Sequence, residues 1–221
     1  MKFRSYGLLA CLAPLSLLAG CIINLDNGVK GSGTVKTESR QAVNFSAISF
    51  ETEGNLTVQQ TGKESLLISA DDNLLPFFES RVADHTLYLN ISKGRNINPS
   101  KPAEFVVQVK SLESLNMEGV GSVEVRDIKG KKLSVTHDGV GEVTITGSAD
   151  VLDLNLSGVG SYQGEAFKTK QATIRSSGVG SAVINASEQV DATVSGVGSV
   201  EYIGSPQVQE SIEGIGDVEK R

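Results

Sequence analysis

The sequence predicts an all-β chain, a parallel β-helix (β-solenoid) wound from coils of about 20 residues. Three observations carry that prediction. A Gly-Val-Gly or Gly-Ile-Gly triplet recurs six times. Its first glycines are Gly119, Gly139, Gly158, Gly178, Gly196 and Gly214, and its second are Gly121, Gly141, Gly160, Gly180, Gly198 and Gly216. The spacings are 20, 19, 20, 18 and 18 residues, a period at which each repeat buries its apolar face only by stacking on its neighbours. Around each triplet, apolar and polar residues alternate with a period of two, the pattern of a strand with one buried face.

Before the triplet the inward set includes Leu133, Val135 and His137, then Leu152, Leu154 and Leu156, and later Val190, Ala192 and Val194. After it come Val123 and Val125, Val143 and Ile145, and Val200 and Tyr202. The triplet is expected to be a corner, since glycine accepts positive φ without steric cost. Its central Val or Ile is expected to point inward and fill that corner. Helix is the poorer alternative: two glycines per repeat each cost roughly 1 kcal/mol against alanine in a helix, and Val, Ile and Thr favour pleated surfaces. Parallel crossovers of this kind are expected to be right-handed.

Residues 1–20 read as a secretory signal: Lys2 and Arg4 precede the apolar run Leu8–Leu18, which is too short to span a bilayer. The run ends in Leu18-Ala19-Gly20-Cys21, similar to the lipobox of bacterial lipoproteins. That resemblance implies cleavage between Gly20 and Cys21 and acylation of the Cys21 sulfur. An ordinary signal peptide with a chance cysteine is the alternative. Ile22, which is not Asp, implies sorting to the outer membrane, where the acyl chains would hold the protein. Cys11 would leave with the signal, so the mature domain is expected to contain neither free thiol nor disulfide. Subtracting Lys2 and Arg4 from 20 basic residues leaves 18 against 26 acidic ones, a net charge of −8 that disfavours nucleic acid and anionic lipid as partners.

Residues 21–40, polar with scattered glycine, read as the lipidated cysteine and a tether; 41–221 read as the solenoid domain. Within 41–60, Phe50, Gly54, Leu56 and Val58 fit a shortened copy of the repeat. Strands of another kind are expected at Ser65–Ala70, Thr86–Ser92 and Ala103–Val109, with a helical turn within Asp72–Ala83 limited by Pro76. This Phe-rich half is expected to cover the amino-terminal end of the stack, where an open coil would leave an unpaired edge. At the other end Glu219-Lys220-Arg221 closes the last coil with charge, and coil ends that pair between chains would make a homo-oligomer.

The chain resembles the bacterial head GIN domain family, which carries an auto-transporter adhesin label. The resemblance rests on Phe45…Ile48…Gly54-Asn55-Leu56, on Asp72-Asn73-Leu74-Leu75 with Val82 and Leu87-Tyr88-Leu89, on Leu112–Leu115, and on the reiterated Gly-Val-Gly-Ser. It implies a single-stranded right-handed β-helix exported to the envelope. The present chain differs from a bare adhesin head in bearing its own lipobox.

Parallel β-helices also carry polysaccharide lyases and glycosidases, whose chemistry needs paired carboxylates or a calcium-binding carboxylate cluster with a basic residue. Register brings Glu118, Asp138 and Glu142 to one edge, as an acidic patch suited to calcium or to acid–base work, or simply as a solvated face. Glu142 with Lys131 or Lys132 is the best enzyme candidate, and a lyase or hydrolase is the alternative function. The serine columns lack a partnered base, because the only histidines are His85 and His137; stacked hydroxyls explain them better. His137 occupies an inward position and reads as a packing variant, with no second His or Cys at metal spacing. The glycine triplets open strands rather than helices, so they are not phosphate cradles. Neither cofactor nor metal is expected. The resulting reading is a non-catalytic binding or structural module of the outer membrane whose ligand is an envelope component, a glycan or a protein; a self-assembling envelope subunit is a further alternative.

Overall fold

The structure, a computed structural model, describes residues 28–221. The signal peptide, Gly20, Cys21 and the first part of the tether lie outside the described residues. The strands run in order as β1 (Val29–Lys30), β2 (Val35–Arg40), β3 (Ala47–Glu51), β4 (Asn55–Gln60), β5 (Ser65–Asp71), β6 (Phe78–Ala83), β7 (Thr86–Ile91), β8 (Ile97–Asn98) and β9 (Glu104–Val109). The main stack follows as β10 (Ser114–Met117), β11 (Val120–His137), β12 (Val140–Leu156), β13 (Val159–Ser176), β14 (Val179–Val194), β15 (Val200–Ile203), β16 (Gln207–Ile212) and β17 (Val218–Lys220).

Consecutive coils pair in parallel throughout the main stack, as the repeat requires. Val120 lies beside Val140, Val140 beside Val159, and Val159 beside Val179; Leu133 lies beside Leu152 and Leu152 beside Ala172. The expected inward residues are buried, among them Val123, Val125, Leu133, Val135, Val143, Ile145, Leu152, Leu154, Val190 and Val194. Tyr202 is only partly buried, in the short strand near the carboxyl end. Each long strand also bends at a second place, which the triplet pattern does not announce. The register slips between Val125 and Ile128 and between Thr144 and Gly147, with Asp127 at φ 61° and Gly147 at φ 121°. The bend turns the chain into another wall of the coil, whose buried residues include Ile128, Ala149, Phe167, Thr169 and Ala186.

The amino-terminal half covers the stack, as expected, but out of chain order. β3 pairs with β10 and β4 with β11, so residues 47–60 form the coil before the first full repeat. Beneath them β7 pairs with β3 and β9 with β4, a coil supplied by residues that come later in the sequence. β6 then runs antiparallel on β7, and β5 antiparallel on β9. Phe105 centres this end, with Phe50 and Phe78 edge-on at 5.3 and 5.5 Å between ring centroids.

Two expectations about this half are corrected. The tether does not extend to residue 40: β2 adds antiparallel to β5, whose edge would otherwise be unpaired. Asp71 fixes this segment from inside, accepting hydrogen bonds from the Gly33 N–H (2.7 Å), the Ser100 N–H (2.8 Å) and the Ser100 hydroxyl (2.7 Å). The helical turn in 72–83 shrinks to a 3-10 turn at Leu75–Phe77, because the alternating residues after Pro76 join the sheet as β6. Arg40 ties β2 to that turn, donating to the carbonyls of Leu75 (2.8 Å) and Phe78.

Candidate functional site: an exposed valine ridge

The central residue of each triplet points outward, against the sequence expectation. The five valines Val120, Val140, Val159, Val179 and Val197 are 47–52 % exposed, and Ile215 is 74 % exposed. The reason lies in the glycines. A Cβ on the first glycine would meet a backbone oxygen of the preceding coil at 1.9–2.1 Å, starting with Thr52 against Gly119 and continuing with Gly119 against Gly139. A Cβ on Gly141 would come within 1.8 Å of the Gly121 carbonyl, and Gly141 sits at φ 142°. Backbone packs on backbone at the corner, so both positions flanking the valine are glycine, and the valine between them faces solvent. The interior there is reached from two residues earlier instead: Met117 lies next to Gly141, and the buried His137 ring has its Nε2 3.2 Å from the Gly141 carbonyl. His137 thus has the packing role the sequence suggested.

The ridge is continuous. Val120 donates its N–H to the Thr52 carbonyl at 3.2 Å, and each later valine N–H donates to the first glycine one coil earlier, as in Val140 to Gly119 at 3.0 Å and Val159 to Gly139 at 3.0 Å. Ile215 continues the column through an isolated bridge to Val197. With coils about 4.8 Å apart, six side chains span roughly 24 Å. At the foot, beside Val120 and Gly121, lies a mostly apolar cavity of about 360 Å³ whose walls include Gly54, Phe78, Ile97 and Lys101.

Serine and acidic columns border the ridge. One side reads Glu118, Asp138, Ser157, Ser177, Ser195 and Glu213; the other reads Ser122, Glu142, Ser161, Ser181, Ser199 and Asp217. Ser157 donates to the Asp138 carboxylate one coil away, and Asn116 donates to Glu118 at 2.6 Å. Glu142 stacks between Ser122 and Ser161. Lys132 belongs to the other end of its coil, beside Val151, where its ammonium pairs with Asp153 at 2.5 Å. Lys131, between Gly130 and Lys132, lies at that same end, so the structure brings neither lysine to Glu142 as an acid–base partner. Among the described residues no three His, Cys, Asp or Glu side chains form a group able to hold a metal ion. The other histidine, His85, is exposed, with Nδ1 3.3 Å from the Asn44 carbonyl.

Stacked parallel coils that repeat one surface feature along their length define a β-solenoid whose distinctive surface is a ridge. More particularly, the chain belongs to the head GIN domain family, described as "Putative auto-transporter adhesin, head GIN domain", whose model matches residues 44–206. It is similar to the crystal structure of a "putative adhesin" from Bacteroides fragilis, with 28 % identity and a TM-score of 0.74 over 88 % of this chain and 100 % of that one. A "putative lipid binding protein" from Parabacteroides distasonis shares the fold at 20 % identity and TM-score 0.59, over 87 % of this chain and 99 % of that one. So does a "putative adhesin" from Parabacteroides merdae, at 20 % identity and TM-score 0.56 over 88 % and 99 %. No curated protein matches the chain.

Proposed function

We propose that this chain is a non-catalytic binding module of the bacterial cell envelope that engages its ligand through the valine ridge. The observation that supports this reading is the ridge itself: six aliphatic side chains held in solvent by glycines that pack backbone against backbone. Contiguous exposed apolar surface on a soluble domain marks an interaction site more often than chance. Membership of an adhesin-like family associates the chain with the cell surface or envelope. Among the described residues no helix is long and apolar enough to cross a membrane. An acyl anchor at Cys21, following the lipobox-like Leu18-Ala19-Gly20, supplies the attachment to the outer membrane in this reading. The ligand is an envelope component, a glycan or a protein; the net negative charge speaks against nucleic acid.

Two experiments test it. Cys21→Ser in the full-length chain is expected to move the protein from the membrane fraction to the soluble fraction; retention on the membrane would remove the anchor. A binding screen against envelope components and glycans, with product analysis and Glu142→Ala in parallel, is expected to give binding without turnover by either protein. Turnover abolished by Glu142→Ala would establish an enzyme instead.

A further inference from the structure

We infer that the ridge docks a protein surface bearing a row of apolar side chains with lysine or arginine at both ends. This inference rests on the ridge being the binding surface, and it names the chemistry of the partner. The columns on and beside the ridge contain no basic residue; Lys101 and Glu53 both line the cavity at its foot, and Glu53 bridges Val120. Their acidic residues gather at the two ends: Glu118, Asp138 and Glu142 on the first coils, Glu213 and Asp217 on the last. The coils between carry serine at both flanks, Ser157 with Ser161, Ser177 with Ser181 and Ser195 with Ser199. A complementary surface is therefore apolar along its middle and cationic where it meets the ends.

The same pattern disfavours other occupants. A second copy laid antiparallel along the ridge would bring Glu118, Asp138 and Glu142 against Glu213 and Asp217, like charges that oppose the contact. An anionic lipid surface meets the same repulsion. A glycan would find no aromatic ring in the ridge to stack on, and the valine N–H groups are already committed to backbone carbonyls of the preceding coil. The cavity beside Val120 offers a seat for one larger apolar side chain at the foot of the row. The exposed apolar area is only on the order of a few hundred Å², so a single contact belongs to the weak, transient class.

The test uses the full-length chain in neutral-lipid nanodiscs, with empty nanodiscs as blank, and two synthetic amphipathic peptides. Both peptides share one leucine row; one ends in lysines, the other in glutamates. The lysine-ended peptide is expected to bind about 10-fold or more tightly than the other, with the difference shrinking at high salt. Val159→Ser with Val179→Ser is expected to weaken it about 10-fold, with an unchanged circular dichroism spectrum because both side chains are half exposed. Glu118→Gln, Asp138→Asn, Glu142→Gln, Glu213→Gln and Asp217→Asn together are expected to bring the two peptides within about threefold of each other. Equal binding of the two peptides to the unmutated chain would overturn the inference. If the valine substitutions abolish binding but neutralising the ends changes nothing, the charge-matched partner is wrong and the ridge reading stands. If the valine substitutions change nothing, both fall. A dimer in sedimentation that dissociates on the valine substitutions would make a second copy the occupant, which also overturns the inference.

Discussion

A Cβ on Gly139 would lie 2.1 Å from the carbonyl oxygen of Gly119, one coil earlier in the stack. That oxygen also accepts the Val140 N–H at 3.0 Å, so it is held in place by the ladder. The first glycine of the triplet is required by space. The second meets both a close contact and a positive φ, as at Gly141.

Gly139→Ala is therefore expected to destabilise the domain by about 2 kcal/mol or more, since backbone on both sides must move. Gly130→Ala is the control: the nearest atom to its Cβ would be the Lys132 carbonyl oxygen at 3.8 Å, and the expected change is within about 0.5 kcal/mol. Urea midpoints of the two variants separate the cases.

Acid should loosen the amino-terminal cover. Hydrogen bonds from the Ser100 hydroxyl, with those of the Ser100 and Gly33 N–H groups, hold the Asp71 carboxyl below the usual aspartate range. The Lys110 ammonium, bonded at 2.6 Å, does the same for Glu64. Lowered folded-state values mean stabilisation that is present above the unfolded carboxylate range, about pH 4, and is lost as pH falls through the folded values. Asp71→Asn should be less stable than the unmutated chain at neutral pH, and the gap should close on acidification. A gap that stays constant with pH would contradict the role given to the ionised carboxylate.

Tyr162 is fully buried and its hydroxyl has no hydrogen-bond partner; burial alone pushes the phenol pKa up. Tyr162→Phe removes the unsatisfied group at nearly the same volume, so the expected result is unchanged or higher stability, by up to about 1 kcal/mol. Thermal unfolding reads it directly. Gly164→Ala should instead be harmful, because its Cβ would fall 2.5 Å from the Tyr162 ring.

Period and alternation made most of the stack legible in the sequence. Leu133, Val135, Val143 and Ile145 are apolar at every second position and buried as read. The second bend was not legible, because it falls at Arg126-Asp127 in one coil and at Gly147 in the next, with no shared residue type. The outward valine was misread for a physical reason. Hydrophobicity assigns Val140 to the core, while the decisive contact is between glycine backbones in adjacent coils, which only stacking creates. The pairing of β7 beneath β3 was also hidden, since strand alternation says nothing about which later segment returns to cover an earlier one. The acidic residues flanking the ridge were placed correctly by register, but without the outward valines their grouping at the two ends of an apolar surface had no meaning.

The most direct measurement is binding of envelope components to the full-length chain, compared with the Val159→Ser, Val179→Ser double variant at equal folding. The ridge reading predicts that the unmutated chain retains a component that the variant binds about 10-fold more weakly, with no chemical product in either case. A component bound equally by both, or converted by either, would contradict it.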